Sequence, residues 1–198
     1  MKPVLHYWDT PLGRGEQIRL WMAELGLTWD EVATPWRGEG WDALAPDIAW
    51  FGAVPALVVD GFSLVQSGVI VCWLAREHGR MPVDGRLAAT VEALVWSAED
   101  LRQAGGLAAH RGPDAVRDFL RDDWRGRFLP GLEAFLARST SGWLVGDAPT
   151  PADTSFWDAI DQVLATVPGA TLAGPVAEHR ARVAALPRIA DYLASKGR

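Results

Sequence analysis

Residues 53–68, Ala-Val-Pro-Ala-Leu-Val-Val-Asp-Gly-Phe-Ser-Leu-Val-Gln-Ser-Gly, spell an apolar strand, a tight turn, a second strand and the start of a helix. Asp60-Gly61 between two apolar runs is a hairpin signal, because both central positions of a type I′ turn need positive φ. Pro55 opens the first strand, where its missing N–H is tolerable, and an unpaired edge just before it suits an extended peptide. Gln66-Ser67-Gly68 precede an apolar run from Val69 to Ala75, which predicts a helix capped by Ser67. Unpaired amides at a helix start attract a carboxylate. The stretch thus offers a peptide edge beside an anion-binding helix start. An ordinary hairpin followed by a capped helix fits the same residues.

Upstream, Pro3 to Trp8 alternate as a strand, with Leu5 and Tyr7 on one face and Val4, His6 and Trp8 on the other. Asp9 to Gly13 form a loop, and Arg14 to Gly26 carry a helical pattern (Ile18, Leu20, Trp21, Leu25) closed by glycine. Trp29 to Val32 predict a second strand, parallel to the first through that helix. Pro35 to Gly52 read as irregular, with one helical turn near Trp41-Leu44. With the hairpin and a helix from Ser67 to about His78, the order is β-α-β-α-β-β-α, that of a thioredoxin-like domain.

Downstream of Met81-Pro82-Val83-Asp84-Gly85 only helical patterns remain. Leu87, Val91, Leu94, Val95, Ala98 and Leu101 form one stripe, running toward His110 past a weak spot at Gly105-Gly106. Pro113 starts another, with Val116, Phe119, Leu120, Trp124, Phe128, Leu132 and Phe135. Thr150-Pro151-Ala152-Asp153 place a capping threonine, proline at the first helical position and an acid three residues on. Helices over 171–185 and 188–195 finish the chain. The expected organisation is an α/β thioredoxin-like domain over 1–80, a linker over 81–86 and an all-α domain over 87–198.

A net charge of −6 argues against nucleic acid or an anionic membrane as partner. No apolar run reaches spanning length, and the N-terminus lacks the form of a signal peptide. One cysteine makes no internal disulfide, which suits a cytoplasmic setting. Cys72 lies inside an apolar helical run and reads as a core thiol, and His6, His78, His110 and His179 show no metal-ligand spacing. No Gly-x-Ser-x-Gly or P-loop is present.

Val-Pro, hairpin, Gln-Ser-Gly and helix, in that order, resemble the glutathione-binding half of the cytosolic glutathione transferases. Leu5-His6-Tyr7-Trp8-Asp9 and Gly13-Arg14-Gly15-Glu16-Gln17-Ile18-Arg19 resemble the opening of the tyrosine-type members, with Tyr-Trp-Asp closest to mu and Gly-Arg-Gly to pi and sigma. Ser97-Ala98-Glu99-Asp100-Leu101-Arg102 resemble the Glu-Asp-Leu-Arg segment of the pi class, although paired acids on a helix also suit a solvated face.

The resemblance implies a cis Pro55, with the backbone of Val54 pairing with the cysteinyl unit of glutathione and Gln66-Ser67 holding its γ-glutamyl end. It implies that the Tyr7 hydroxyl stabilises the thiolate and that Arg14 lies near the sulfur. A core aromatic remains the other reading of Tyr7, and an exposed helix-start arginine that of Arg14, since the loop before Gly13 is one residue longer than in relatives. Trp8 falls among the implied glutathione contacts, although its indole reads as packing. Asp100 would meet the γ-glutamyl ammonium in a partner subunit's site, making the protein a homodimer. No lysine stands between Lys2 and Lys196, so Arg37 with Trp41 or Trp36 are the substitutes for holding the glycyl carboxylate. Ala53 replaces the Gln or Asn common in relatives, removing one side-chain bond to glutathione. His110 falls where relatives touch the electrophile, and a solvent-facing histidine is its plainer reading.

The function implied is a glutathione transferase that holds glutathione, its co-substrate, as thiolate through Tyr7 and adds it to an apolar electrophile, with no metal or bound cofactor. A glutathione-dependent isomerase or reductase and a non-catalytic ligand carrier of the same fold are the alternatives.

Overall fold

A computed structural model of the protein describes residues 2–10, 12–34 and 48–198. The chain divides into two compact units, Met1–His78 and Gly79–Arg198.

In the first unit, β1 (Val4–Tyr7) buries Leu5 and Tyr7 and leaves Val4 and His6 half-buried, as the alternation requires. Helix α1 (Arg14–Glu24) returns the chain to β2 (Asp30–Ala33), which pairs parallel to β1. That strand starts one residue later than the sequence suggests, and all four of its residues are exposed. The hairpin β3 (Ala56–Val59) and β4 (Phe62–Val65) completes a four-stranded sheet in the order β2-β1-β3-β4, with β3 antiparallel to β1. This is the order and sense of a thioredoxin-like domain. Its turn has Asp60 at φ 52° and Gly61 at φ 81°, the two positive values expected of Asp-Gly.

Helix α2 (Ser67–Glu77) follows, and here the capping expectation needs correcting. Ser67 is the first helical residue; Gln66 stands at the cap position, at φ 70° and ψ 105°, with no side-chain capping bond. A serine cap needs extended backbone before the helix, and the tight exit from β4 places Gln66 in a left-handed conformation instead. Cys72 is buried on α2, and burial pushes its thiol up to about 11.

The second unit is helical. Asp84 caps α3 (Gly85–Arg111), accepting from the amides of Arg86 and Leu87, so this helix starts inside the segment read as linker. It runs unbroken through Gly105, where a Cβ would lie 2.8 Å from Val163; the glycine lets α3 lie close against α6 (Pro151–Thr166). The stripe that begins at Pro113 is buried from Val116 to Leu132. It is not one α-helix: α4 (Pro113–Asp118) passes into a π-helical stretch (Phe119–Phe128) before α5 (Leu129–Leu136). The π stretch bonds i to i+5, which suits the five-residue step from Phe119 to Trp124.

At the start of α6, Asp153 accepts from the amide and hydroxyl of Thr150 at 2.8 and 2.9 Å. It also accepts from the amide of Leu144 at 2.9 Å and lies 2.8 Å from His179 Nε2 on α7 (Gly174–Ala184). One buried carboxylate thereby ties the preceding turn, a helix start and a neighbouring helix. Helix α8 (Pro187–Ser195) ends the chain.

Among the described residues, no group of three or more His, Cys, Asp or Glu is arranged to hold a metal ion, and no helix is long and apolar enough to cross a membrane.

Candidate functional site

Strand register places the first set of residues. In the β1–β3 pair His6 faces Ala56, and in the β3–β4 pair Ala56 faces Val65. One step further, Tyr7 comes level with Pro55, and Pro55 with Gln66. The far end of the sheet therefore carries Tyr7, the Val54-Pro55 step and Gln66-Ser67 side by side. The Val54-Pro55 peptide is cis. Pro55 and Ser67 are buried, Val54 is half-buried and Gln66 is exposed. A non-glycine residue at φ 70° is costly and persists where the surroundings dictate it, which marks Gln66 as a presented residue.

Tyr7 is 4% exposed, and its backbone carbonyl accepts from the amide of Thr34 at 2.8 Å. Its ring is packed with unusual closeness against the start of α1. A Cβ at Gly13 would fall 2.3 Å from the Tyr7 hydroxyl, and one at Gly15 would fall 2.3 Å from Cδ1. Gly13 itself has φ 91°. The phenol oxygen therefore sits directly beside the Gly13-Arg14-Gly15 backbone, and Arg14, the first residue of α1, is exposed next to it. The Trp8 indole packs at 5.4 Å between ring centroids, tilted 31°.

The Arg19 guanidinium carbon lies 5.6 Å from the centre of the Tyr7 ring. Its Nε and NH2 donate to the Glu31 carboxylate at 2.9–3.1 Å, and its NH1 donates to the Thr10 carbonyl at 3.0 Å and faces Glu16 at 3.4 Å. These partners link the loop after β1, the first turn of α1 and the edge strand β2.

Trp36, Arg37 and Trp41 lie outside the described residues. In the second unit Asp100 is exposed on α3 and accepts from Arg127 NH2 at 3.4 Å. Its neighbour Glu99 is buried against Arg102, so the adjacent acids divide: one faces water and the other the interior. Arg102 also donates to Asp158 at 2.6 Å. Burial works against its charge, and the Asp158 and Glu99 carboxylates overcome that, raising its pKa above the ordinary guanidinium value. His110 is exposed in the last turn of α3.

The sequence model described as "Glutathione S-transferase, N-terminal domain" matches residues 3–76, and that described as "Glutathione S-transferase, C-terminal domain" matches residues 113–196. Glutathione S-transferase A of Cavia porcellus is 31% identical over 156 residues, covering 77% of this chain and 71% of its own. The chain belongs to the glutathione S-transferase family. It is a glutathione transferase, and glutathione is its co-substrate. Glutathione S-transferase alpha I of Oryctolagus cuniculus is 28% identical over 197 residues, covering 97% of the transferase and 87% of its own length. Among solved structures, the glutathione S-transferase from Ascaris lumbricoides matches with a TM-score of 0.80 at 28% identity, over 98% of this chain and 97% of that one.

Sequence reasoning gave the transferase no part for Arg19, Glu31, Gly13 or Gly15 around Tyr7. A signal was present: an arginine set between Ile18 and Leu20, in the apolar run that continues through Trp21 and Met22, has to find an acid.

Proposed function

We propose that this transferase ionises the glutathione thiol at Tyr7 and directs the sulfur at an apolar electrophile. The observation that supports this most is the row of Tyr7, Val54-Pro55 and Gln66-Ser67 across one end of the sheet. Tyr7 and Gln66 stand two strand spacings apart, about 10 Å, and three extended residues span roughly 10 Å. A tripeptide can therefore lie with its γ-glutamyl end at Gln66-Ser67, its cysteinyl backbone along Val54 and its sulfur at the Tyr7 hydroxyl. The amides at the start of α2 favour the carboxylate of the γ-glutamyl end.

In the reaction the thiol proton leaves to solvent and the sulfur stays as thiolate, accepting a hydrogen bond from the Tyr7 hydroxyl. A free thiol has a pKa near 8.5, and a bond donated to the charged form lowers it. The thiolate electron pair then forms a carbon–sulfur bond at the electrophilic carbon, whose leaving group departs with its own pair. Arg14, exposed beside the phenol, adds a positive charge near the sulfur. Arg37 with Trp41 or Trp36 takes the glycyl carboxylate, Trp8 completes the wall beside Tyr7, and His110 faces the electrophile.

The proposed assembly is a cytoplasmic homodimer in which Asp100 reaches the γ-glutamyl ammonium bound by the partner. Its accessibility supports this, as do large apolar side chains left in the open: Phe51 is 97% exposed and Trp96 47%. The first domain, read as 1–80, binds glutathione, and the helical domain takes over where α3 starts at Gly85.

The test is an ultraviolet difference titration of bound glutathione between about pH 5 and 9, on wild type and Tyr7→Phe. The expected result is a thiolate band emerging below the free-thiol range and moving up by about one pH unit or more in the variant. The same band at the same pH in both proteins removes Tyr7 from the mechanism. Sedimentation as a monomer overturns the cross-subunit part for Asp100.

A further inference from the structure

Stabilising a thiolate takes more than a hydroxyl in the neighbourhood; the oxygen has to be held where the sulfur arrives. A phenol can rotate about its side-chain bonds, and β1 fixes only the backbone of Tyr7. The Trp8 indole packs on its ring at 5.4 Å, and three further contacts come from the loop after β1 and from α1. The Gly13 backbone borders the hydroxyl so closely that a Cβ there would stand 2.3 Å from the oxygen. The Gly15 backbone borders the ring edge, with a Cβ site 2.3, 2.7 and 2.8 Å from Cδ1, Cγ and Cε1. Real Cβ atoms do not approach heavy atoms at such distances, so any side chain at either position displaces the ring. The Arg19 guanidinium lies 5.6 Å from the ring centre and has its own direction fixed by Glu31, Glu16 and the Thr10 carbonyl. Thr10 belongs to the loop that leads from Tyr7 toward Gly13, so Arg19 also holds the span that delivers Gly13 to the hydroxyl.

We propose that Gly13, Gly15 and Arg19 form a seat that fixes the Tyr7 phenol at the position where the glutathione sulfur arrives. They are positioning residues. The inference rests on the reading of Tyr7 as the thiolate's partner, and it gives the Gly-Arg-Gly sequence a steric purpose: the glycines are there because the phenol occupies the space of their side chains.

The test is a double-mutant cycle on the full-length protein, using glutathione and chlorodinitrobenzene as the probe pair. The cycle comprises wild type, Gly13→Ala, Tyr7→Phe and the double variant. Each is read for kcat, KM for glutathione, the thiolate titration and the unfolding midpoint. In wild type, Gly13→Ala is expected to lower kcat by about ten- to a hundredfold and to move the thiolate band up, with KM changing by less than about threefold. In Tyr7→Phe the hydroxyl is gone, and the alanine Cβ would meet Cζ at 3.4 Å, an ordinary contact. The same substitution is there expected to change kcat by no more than about twofold. The positive φ of Gly13 penalises alanine in both backgrounds and cancels in the cycle. Gly15→Ala is the contrast: its conflict is with ring carbons that phenylalanine keeps, so its cost should be the same in both backgrounds.

An equal kcat loss from Gly13→Ala in both backgrounds overturns the seat, because turn strain alone then explains the effect. The unfolding midpoints test the steric half independently of chemistry: Gly13→Ala should lower the midpoint more in wild type than in Tyr7→Phe, and equal shifts overturn it. Wild-type kcat and thiolate band in Tyr7→Phe, alongside coupled midpoints, would instead fault the tyrosine mechanism and the catalytic half of this inference together. Arg19→Lys serves if the alanine variants do not fold. It keeps the charge and loses the forked contact to Glu31, and it should move the thiolate band up with KM nearly unchanged. A wild-type band in a folded Arg19→Lys protein removes Arg19 from the seat.

Discussion

Arg19 in the first unit and Arg102 in the second are built to the same local plan and used differently. Each is a buried arginine on a helix, with a glutamate three residues earlier and a second carboxylate from a distant element. Arg102 meets Glu99 and the fully buried Asp158, clamping α3 to α6, and its Nε has no hydrogen-bond partner among the described residues. Arg19 uses all three of its nitrogens, one on a backbone carbonyl, and its distant acid Glu31 keeps about a third of its side chain in water. The first arrangement joins two helices. The second joins a loop, a helix start and an edge strand beside the Tyr7 ring, the proposed partner of the thiolate.

The largest expected effect is from Arg102→Leu. It leaves Glu99 and Asp158 buried without their cation, and breaking such a group costs about 3–5 kcal/mol. Chemical denaturation should show that loss, with turnover per folded molecule unchanged. A cost below about 1 kcal/mol would mean that Arg102 is no more than a surface-type pair. Arg19→Leu should cost less stability, about 1–3 kcal/mol, because Glu31 can turn to solvent and the buried Glu16 loses only a contact of 3.4 Å. It should nevertheless lower kcat by about tenfold or more. Unchanged turnover would erase the distinction between the two clusters. Glu31→Gln keeps one acceptor for Arg19 but loses the fork; it should cost about 1 kcal/mol and move the thiolate band up by less than Arg19→Leu does. The smallest expected effect is at Cys72. A thiol raised to about 11 is thiolate in only about one molecule in a thousand at pH 8. Native protein should therefore leave an alkylating reagent untouched there, and unfolded protein should not; rapid native labelling would show that the burial of α2 is not maintained in solution.

The same two clusters show what a sequence can reveal. Backbone rules were legible: Asp60-Gly61 made its turn, Thr150 and Asp153 made their reciprocal cap, and the stripe after Pro113 went inside. The proposed site stood in the sequence only as a motif resemblance, and strand register sets Tyr7, Pro55 and Gln66 in one row. The partners of buried charges were not, because an arginine on a helix looks alike whether it faces water or a distant acid. Glu99-Asp100 split between interior and solvent for a reason that depends on Asp158, fifty-eight positions beyond Asp100. The Ser67 expectation failed because propensity favours serine at a cap, while the path out of β4 decided the local dihedrals. The π-helical stretch escaped notice because apolar steps of four and five also pass for an α-helical face.

The exposed edge strand has one more consequence, for how the protein behaves when crowded. β2 has a strand neighbour on one side only, among the described residues, and an open strand edge invites the strand of another molecule. Here the edge begins with Asp30, bound by the Lys2 ammonium, and Glu31, bound by Arg19. An incoming strand would have to strip water from both ion pairs before gaining any backbone bond. The Glu31 carboxylate that binds Arg19 thus also raises the cost of stacking one molecule's edge on another's.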